Sequence, residues 1–490
     1  MAAMKPLLVS LALLISVALN GCAINPVSGQ REMVLMSESQ EIATGRQSHP
    51  KIIAQYGRYD DPALQAYVTR LGTELAEHSH RSGLIYRFTV LDSTDINAFA
   101  LPGGYIYITR GLLAYLNSEA ELAAVLGHEI GHVTARHGVR QQTASTAAGL
   151  GYTIASILIP ELSSGPSSDL YGLLSNALLR GYGREHELEA DRLGAEYLAR
   201  TGNDPQAMIA VISVLKNQDE FARQQATAEG RDHQGYHGLF ASHPTHDKRL
   251  QQVVAQANHL VVDGTPKTNR QQFLNQIDGL VFGDSAAQGI RRGSHFYHPE
   301  MGFGLTFPDR WAIKNLPNQL IAIANNGDAQ ITIQVDDVNR RISPQAFITE
   351  RLGIKNLTQG RPTNSHGLQG YTGLTQLKTA QGKRLGRVSV VYFNHQAFIF
   401  VGAAINEARA GNIDKLFLST ARSLHPLTTA ERKLAQPLHL KITTANANSR
   451  YSTLAKKSPI DSYAEQQLRL LNNHYPTGEP VRQSRIKIVQ

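Results

Sequence analysis

The segment His128-Glu129-Ile130-Gly131-His132 combines two imidazoles and a carboxylate at a spacing that suits metal chemistry. Residues i and i+4 of a helix share one face, so both histidine rings can bind the same metal ion. The glutamate between them is placed to accept a proton from a water molecule that the metal activates. The segment therefore predicts hydrolytic chemistry at a single Zn²⁺ ion per chain.

This chemistry needs a helix that carries the segment and a scaffold around it. Ser118 and Glu121 form the S-x-x-E pattern of a capping box before an apolar run, which predicts that the helix begins there. The alternating runs Tyr86–Leu91 and Tyr105–Thr109 predict two strands, the second after a turn at 102–104. Further upstream, an apolar stripe at helical spacing comprises Leu64, Tyr67, Val68, Leu71 and Leu75.

A catalytic zinc ion needs a third protein ligand and one open position. The metzincin pattern would place a third histidine six residues after His132. That position is Gly138, and His137 falls one residue short, so this pattern fails. We interpret His137 as a packing or surface histidine.

A downstream acidic helix supplies another solution. Glu187 and Asp191 stand at i and i+4, so they face the same way. We expect Glu187 to bind the metal and Asp191 to orient a ligand histidine by accepting its outer N–H. The alternative for Asp191 is an ion pair with Arg184 or Arg192. Glu189 is expected to point elsewhere on the helix.

The two motifs together, at 128–132 and 187–191, resemble the gluzincin peptidases of family M48, the HtpX-like and CAAX-prenyl-protease-related group. Within it the chain resembles the periplasmic BepA-like branch. The segment Asn97–Gly104 matches a further signature of the family, and the resemblance covers residues 30–254. It implies a mainly helical zinc metalloendopeptidase domain with a small β-sheet, in which Glu129 is the general base.

The resemblance also draws attention to two segments near the site. Asn97–Thr109 would offer an exposed strand edge to an extended peptide, the alternative being an ordinary hairpin. His243, within Ser242-His243-Pro244, would donate to the oxyanion or occupy the open metal position at rest; the alternative is a helix cap. The Ala/Gly-rich stretch and loop at 143–169 could pack in the core, cover the cleft as a lid, or contact a membrane.

The N-terminal residues predict export. Lys5 precedes an apolar run that fits a signal peptide at 1–21, and Leu19–Cys22 resembles the lipobox of bacterial lipoproteins. Cys22, the single cysteine, would then be lipidated; the alternative is an uncleaved anchor. With Ala23 next in sequence, the resemblance favours the periplasm and the outer membrane. A net charge of +8 without a dense basic block does not predict nucleic-acid binding.

Short alternating runs after about residue 290 predict a change of architecture, giving an α+β multidomain chain. We expect the metallopeptidase domain at 22–265, an α+β domain at 290–428 and a small module at 436–490. The motif around Phe296–Trp311 resembles PsbP-like domains. The strand–helix–helix–strand order of the last module resembles LysM modules, which implies contact with peptidoglycan, the alternative being a packing role.

Together these patterns predict a zinc endopeptidase of the bacterial envelope. By the resemblance, its substrates are unfolded or misassembled envelope proteins, and the outer-membrane assembly machinery is a possible partner. Two alternatives stay open: a periplasmic chaperone or assembly factor whose zinc site is usually closed, and a cell-wall-binding scaffold.

Overall fold

The computed structural model describes residues 22–34, 36–144, 182–229, 254–255, 257, 259–260, 265–316, 319–325, 327–379, 382–404 and 410–490. The predicted signal peptide, most of the segment 143–169, and His243 lie outside these residues. Within them, no helix is long and apolar enough to cross a membrane.

The N-terminal part pairs two short strands and then forms a long helix. Strands β1 (Cys22–Ile24) and β2 (Arg31–Met33) are antiparallel. Helix α1 (Glu38–Tyr56) begins at a capping box between Ser37 and Gln40.

Helix α2 (Pro62–Glu77) confirms the apolar stripe predicted from the sequence. It begins at Asp61, whose carboxylate accepts a hydrogen bond from the Leu64 amide. All five residues of the predicted stripe are buried. They pack in the same core as the helix of the H-E-x-x-H segment.

A three-stranded sheet lies beside that core. Its strands are β3 (Arg87–Leu91), β4 (Ala98–Leu101) and β5 (Tyr105–Thr109), so both predicted strands are confirmed. The order is β3-β5-β4, with β4 antiparallel to β5 across the predicted turn at 102–104. Among the described residues β3 and β4 are the two outer strands of this sheet.

Further helices of the first region are α3 (Arg110–Tyr115), α4 (Glu119–Thr134), α5 (Arg184–Arg200) and α6 (Ala207–Ala228), and residues 137–144 are helical as well. Helix α4 begins at Ser118, whose hydroxyl accepts from the Glu121 amide as predicted. The reciprocal half of the capping box is a correction. The Glu121 carboxylate accepts from the backbone amide of Asn117, one residue before the cap.

The second region confirms the change to β structure. Its short strands β7 (Ile290–Arg292), β8 (His295–His298), β9 (Phe303–Thr306) and β17 (His425–Pro426) form a four-stranded sheet. A seven-stranded antiparallel sheet has the order β10-β11-β12-β16-β15-β14-β13. Its strands are β10 (Ala312–Leu316), β11 (Gln319–Ile323), β12 (Ala329–Asp337), β13 (Thr358–Ser365), β14 (Leu368–Thr379), β15 (Gly382–Phe393) and β16 (Gln396–Ala404).

Short helices accompany these sheets. They are α8 (Pro344–Ala346), which continues as a π-helical turn at Phe347–Arg351, α9 (Ala410–Arg422) and α10 (Thr429–Leu434). Phe303, Phe398 and Phe417 belong to the core between the two sheets and α9. Trp311 packs against Phe417 with ring centroids 6.0 Å apart.

The last region has the predicted strand–helix–helix–strand order, in β18 (Leu438–Thr444), α11 (Tyr451–Ala455), α12 (Ala464–Leu471) and β19 (Arg485–Val489). It shares the hydrophobic core of the first region. It also receives helix α7 (Arg270–Gln276) and strand β6 (Val281–Phe282), which pairs with β18. The three-domain division at 22–265, 290–428 and 436–490 stays a prediction, but this module is packed into the first core.

The buried side chain of Lys487 joins this module to the first region. Its Nζ donates hydrogen bonds of 2.7 Å to the carbonyl oxygens of Ala114 and Leu116. These carbonyls end helix α3, directly before α4. Strand β19 therefore holds the segment from which the H-E-x-x-H helix starts.

Candidate metal centre

Two helices meet closely enough to bring the candidate ligands together. At their crossing, a methyl group on Gly131 of α4 would lie 2.9 Å from the carbonyl oxygen of Ala190 in α5. One turn earlier, Gly194 lies against the backbone at His128, where an added methyl would be 3.0 Å from the amide nitrogen. Only glycine permits such an approach, which lets short acidic side chains of α5 reach the histidines of α4.

The structure brings His128, His132 and Glu187 into one cluster, in which the possible ligand atoms all lie within 4.8 Å of one another. The two Nε2 atoms are 3.0 Å apart. The Glu187 carboxylate oxygens lie 3.5 Å from Nε2 of His128 and 3.6 Å from Nε2 of His132. A tetrahedral zinc ion with bonds of about 2.0–2.1 Å separates its ligand atoms by about 3.3 Å, so the donor set fits zinc.

Asp191 lies where the sequence predicted an orienting carboxylate. Its Oδ1 is 2.9 Å from Nδ1 of His128. Arg192, the alternative partner for Asp191, instead pairs with Glu196 at 3.6 Å. With Nε2 of His128 directed at the cluster, its proton resides on Nδ1 and is donated to Asp191.

The electrostatics of the cluster favour a cation. Burial lowers the pKa of His128, but hydrogen bonds and charges from Asp191 and Glu187 outweigh it and raise that pKa well above 6.5. Burial and the carboxylates of Glu129 and Glu187 also raise the pKa of Tyr182, which therefore stays neutral. Two carboxylates close to two imidazoles form a site that a divalent cation would neutralise.

Glu129 projects from α4 next to the first histidine and is 1% exposed. Its position between the two candidate ligands matches the place of a general base. The predicted role of His243 lies outside the described residues and stays a prediction.

Three residues near the site received no functional role from the sequence. Tyr182 stacks on His132 with ring centroids 4.1 Å apart. His137, interpreted as a packing or surface histidine, is fully buried and bonded to His132, with Nδ1 atoms 2.8 Å apart. Glu189 accepts from Nε2 of His137 at 3.0 Å. In the sequence, only the presence of His137 five residues after His132 pointed to this contact. Its partner on α5, Glu189, was not identifiable from the sequence.

The charge states of this pair follow from burial and contact. Burial lowers the pKa of His137 to about 4. The hydrogen bond from His137 and the nearby Arg140 hold the pKa of Glu189 at about 2. His137 is therefore neutral and Glu189 ionised at pH 7.

Comparison with known proteins agrees with this geometry. The model of Peptidase family M48 matches residues 62–257. The chain is 31% identical over 256 residues to the Beta-barrel assembly-enhancing protease of Yersinia pestis, covering 51% of this chain and 50% of that protein. It is 30% identical over 237 residues to the Mitochondrial metalloendopeptidase OMA1 of Schizosaccharomyces pombe, covering 46% and 64%.

The chain spans half or less of the length of the first curated relatives that it matches. Among solved structures, a cyanobacterial PsbP (CyanoP) from Synechocystis aligns with a TM-score of 0.23 and 13% identity, over 28% of this chain and 95% of that one. The PsbP-like and LysM-like assignments stay predictions. The domain at 62–257, which holds the cluster, is thus the part of the chain that matches Peptidase family M48, and it is similar to metalloendopeptidases.

Proposed function

We propose that the chain is a zinc-dependent endopeptidase of the bacterial cell envelope, acting on exported or misfolded envelope proteins. The observation that carries the enzymatic part is the convergence of His128, His132 and Glu187, with Glu129 beside them. The lipid anchor at Cys22 rests on the sequence pattern alone, and the envelope location rests first on that pattern. The name of the Yersinia relative, which refers to β-barrel assembly, supports the envelope part.

In the proposed mechanism His128, His132 and Glu187 hold the metal, and Asp191 fixes the tautomer of His128. When bound, zinc supplies a Lewis acid that acidifies water and polarises a carbonyl oxygen. Glu129 accepts the proton of the attacking water and returns it to the leaving amine. Because Glu129 is buried, its carboxylate acts where bulk water does not compete with substrate.

The outer strand β4 is the proposed platform for the substrate backbone. It lies next to α4 and pairs with β5 on one side. A peptide lying along its other edge would add a strand to the sheet. Such binding recognises backbone groups, which suits a peptidase that acts on unfolded chains of varied sequence.

The test compares wild type, Glu129→Gln and a chelator-treated sample on an unfolded test protein. We expect wild type to cleave the unfolded protein. The chelated sample should lose cleavage and regain it when Zn²⁺ is returned. Glu129→Gln should keep one zinc per chain but lose cleavage. Glu185→Gln, at an exposed position of α5, is the matched control and should stay active. Full activity in Glu129→Gln would overturn the mechanism.

A zinc-loaded wild type that binds the unfolded protein without cleaving it would instead favour the chaperone alternative. Sedimentation of the full chain with peptidoglycan tests the LysM-like prediction separately, since that binding requires no zinc.

A further inference from the structure

The two histidines of the cluster are oriented by different groups. Nδ1 of His128 meets the Asp191 carboxylate directly. Nδ1 of His132 instead lies 2.8 Å from Nδ1 of His137. His137 is therefore the direct partner of one candidate ligand, a position that a carboxylate or carbonyl oxygen commonly fills.

The local chain path makes this contact. In an uninterrupted helix, a residue five positions after His132 would lie about 140° around the axis, away from it. Helix α4 ends at Thr134, and Arg136 adopts a left-handed conformation with φ of 57°. A new helical segment starts after this turn, at residue 137, and the turn places His137 in contact with His132.

Proton positions follow from the requirement that Nε2 of His132 face the metal. The proton of His132 then resides on Nδ1 and is donated to Nδ1 of His137. The proton of His137 is consequently on Nε2, which donates to Oε2 of Glu189 at 3.0 Å. Arg140 donates to the same oxygen at 3.0 Å and neutralises the Glu189 carboxylate, which ends this series of hydrogen bonds.

Ring stacking restricts both imidazoles. Tyr182 lies on His132 with an interplanar angle of 19°. His186 lies on His137 with centroids 4.3 Å apart and an angle of 18°. Rotation of either ring out of its plane would break the stack, and a 180° flip within the plane would break the hydrogen-bond chain.

We propose that His137 and Glu189 are positioning residues, which hold His132 in the tautomer and orientation needed to bind the metal. The inference rests on the proposed zinc site and deepens it. His137 acts through His132 and does not touch substrate. The carboxylate that serves His132 thus comes from the same helix as Asp191, but through an intervening imidazole.

The test measures the zinc affinity of the full chain by competition with a chromogenic chelator, without substrate. His137→Phe keeps a ring but removes the acceptor, and we expect a loss of affinity of about 10–100-fold. His137→Asn retains an acceptor near the position of Nδ1 and should recover most of it. Glu189→Gln should weaken binding less than His137→Phe, and Glu185→Gln should leave it unchanged.

The visible spectrum of the Co²⁺-substituted chain gives a second measurement, which reports the ligands themselves. We expect it to change in folded His137→Phe and to return toward wild type in His137→Asn. Wild-type affinity and spectrum in folded His137→Phe would overturn the inference. Should that variant fail to fold, wild-type affinity in Glu189→Gln would overturn the role of Glu189, and His137→Asn would test His137. Absence of zinc binding by wild type would instead overturn the proposed function.

Discussion

Gly131 of α4 and Ala190 of α5 touch through their backbones: a methyl group on Gly131 would lie 2.9 Å from the carbonyl oxygen of Ala190 and 3.1 Å from its Cα. Backbone atoms cannot rotate away as a flexible side chain would. The separation of the two helices, and with it the reach of Glu187 to the histidines, depends on the missing side chain at position 131.

Gly131→Ala should therefore both destabilise the fold and weaken metal binding. Forcing the helices apart should lower the free energy of unfolding by about 1–3 kcal/mol. Denaturant unfolding and zinc competition measure the two effects. Gly83→Ala is the control, because nothing lies within 4 Å of a methyl group there. Equal behaviour of the two variants would contradict the packing argument.

A buried carboxylate joins helix α1 to the end of α4. Glu41 is 1% exposed and accepts hydrogen bonds from Arg81 at 3.0 Å and from Arg136 at 2.5 Å. Glu41→Gln removes the buried carboxylate that both guanidinium groups share and leaves Arg81 only the exposed Glu38, so we expect a loss of about 3–5 kcal/mol in unfolding free energy. Glu38→Gln removes a partner of Arg81 whose side chain is 65% exposed and should cost about 0–1 kcal/mol. A similar loss in both variants would argue against a special role for the buried carboxylate.

The C-terminal module should be needed for the stability of the peptidase region. Lys487→Met keeps much of the side-chain volume but removes both donors to the carbonyls of Ala114 and Leu116. Two buried acceptors then lose their partners, which should cost about 2–5 kcal/mol. Hydrogen exchange should detect earlier opening of α3 and the start of α4. Lys441→Met, at a half-exposed position of β18, is the control; unchanged exchange in Lys487→Met would contradict the prediction.

The second region should lose stability in mild acid. Burial lowers the pKa of His298 to about 4, whereas an unfolded histidine titrates near 6.5. Between these values the unfolded chain binds more protons, so stability present above pH 6.5 is lost as the pH falls toward 4. We expect a loss of about 1–2 kcal/mol at pH 4.5 after allowing for solvent screening.

Trp311, the single tryptophan, lies in that region and reports its unfolding by fluorescence. His298→Phe should flatten the pH dependence, whereas His295→Phe, at an exposed position of the same strand, should leave it unchanged. An equally steep dependence in His298→Phe would assign the acid sensitivity to other groups.

Features set by neighbours in sequence were predictable from the amino-acid sequence. The cap at Ser118, the stripe of α2 and the i, i+4 pairs of both motifs each require only a helix and its period. The pairing of Glu187 with His128 and His132 could be predicted because a catalytic zinc ion needs a third protein ligand.

Features set by the crossing of distant segments were not predictable in this way. His137 and Glu189 are separated by 52 residues, and their contact depends on the left-handed turn at Arg136. A lysine near position 487 is expected on a surface, since lysine is seldom fully buried. Nothing in the nearby sequence indicates that Lys487 donates a hydrogen bond to a carbonyl oxygen at the end of α3, 373 residues earlier.

The contact of Lys487 with the end of α3 determines when the first region can complete its folding. A ribosome makes strand β19 long after the helices of the candidate metal centre, with the whole second region synthesised in between. During that interval helix α3 and the start of α4 lack the strand that holds them. The part of the molecule with the candidate metal centre therefore reaches its finished form late, and a product truncated before residue 485 would keep every candidate ligand yet lack this support.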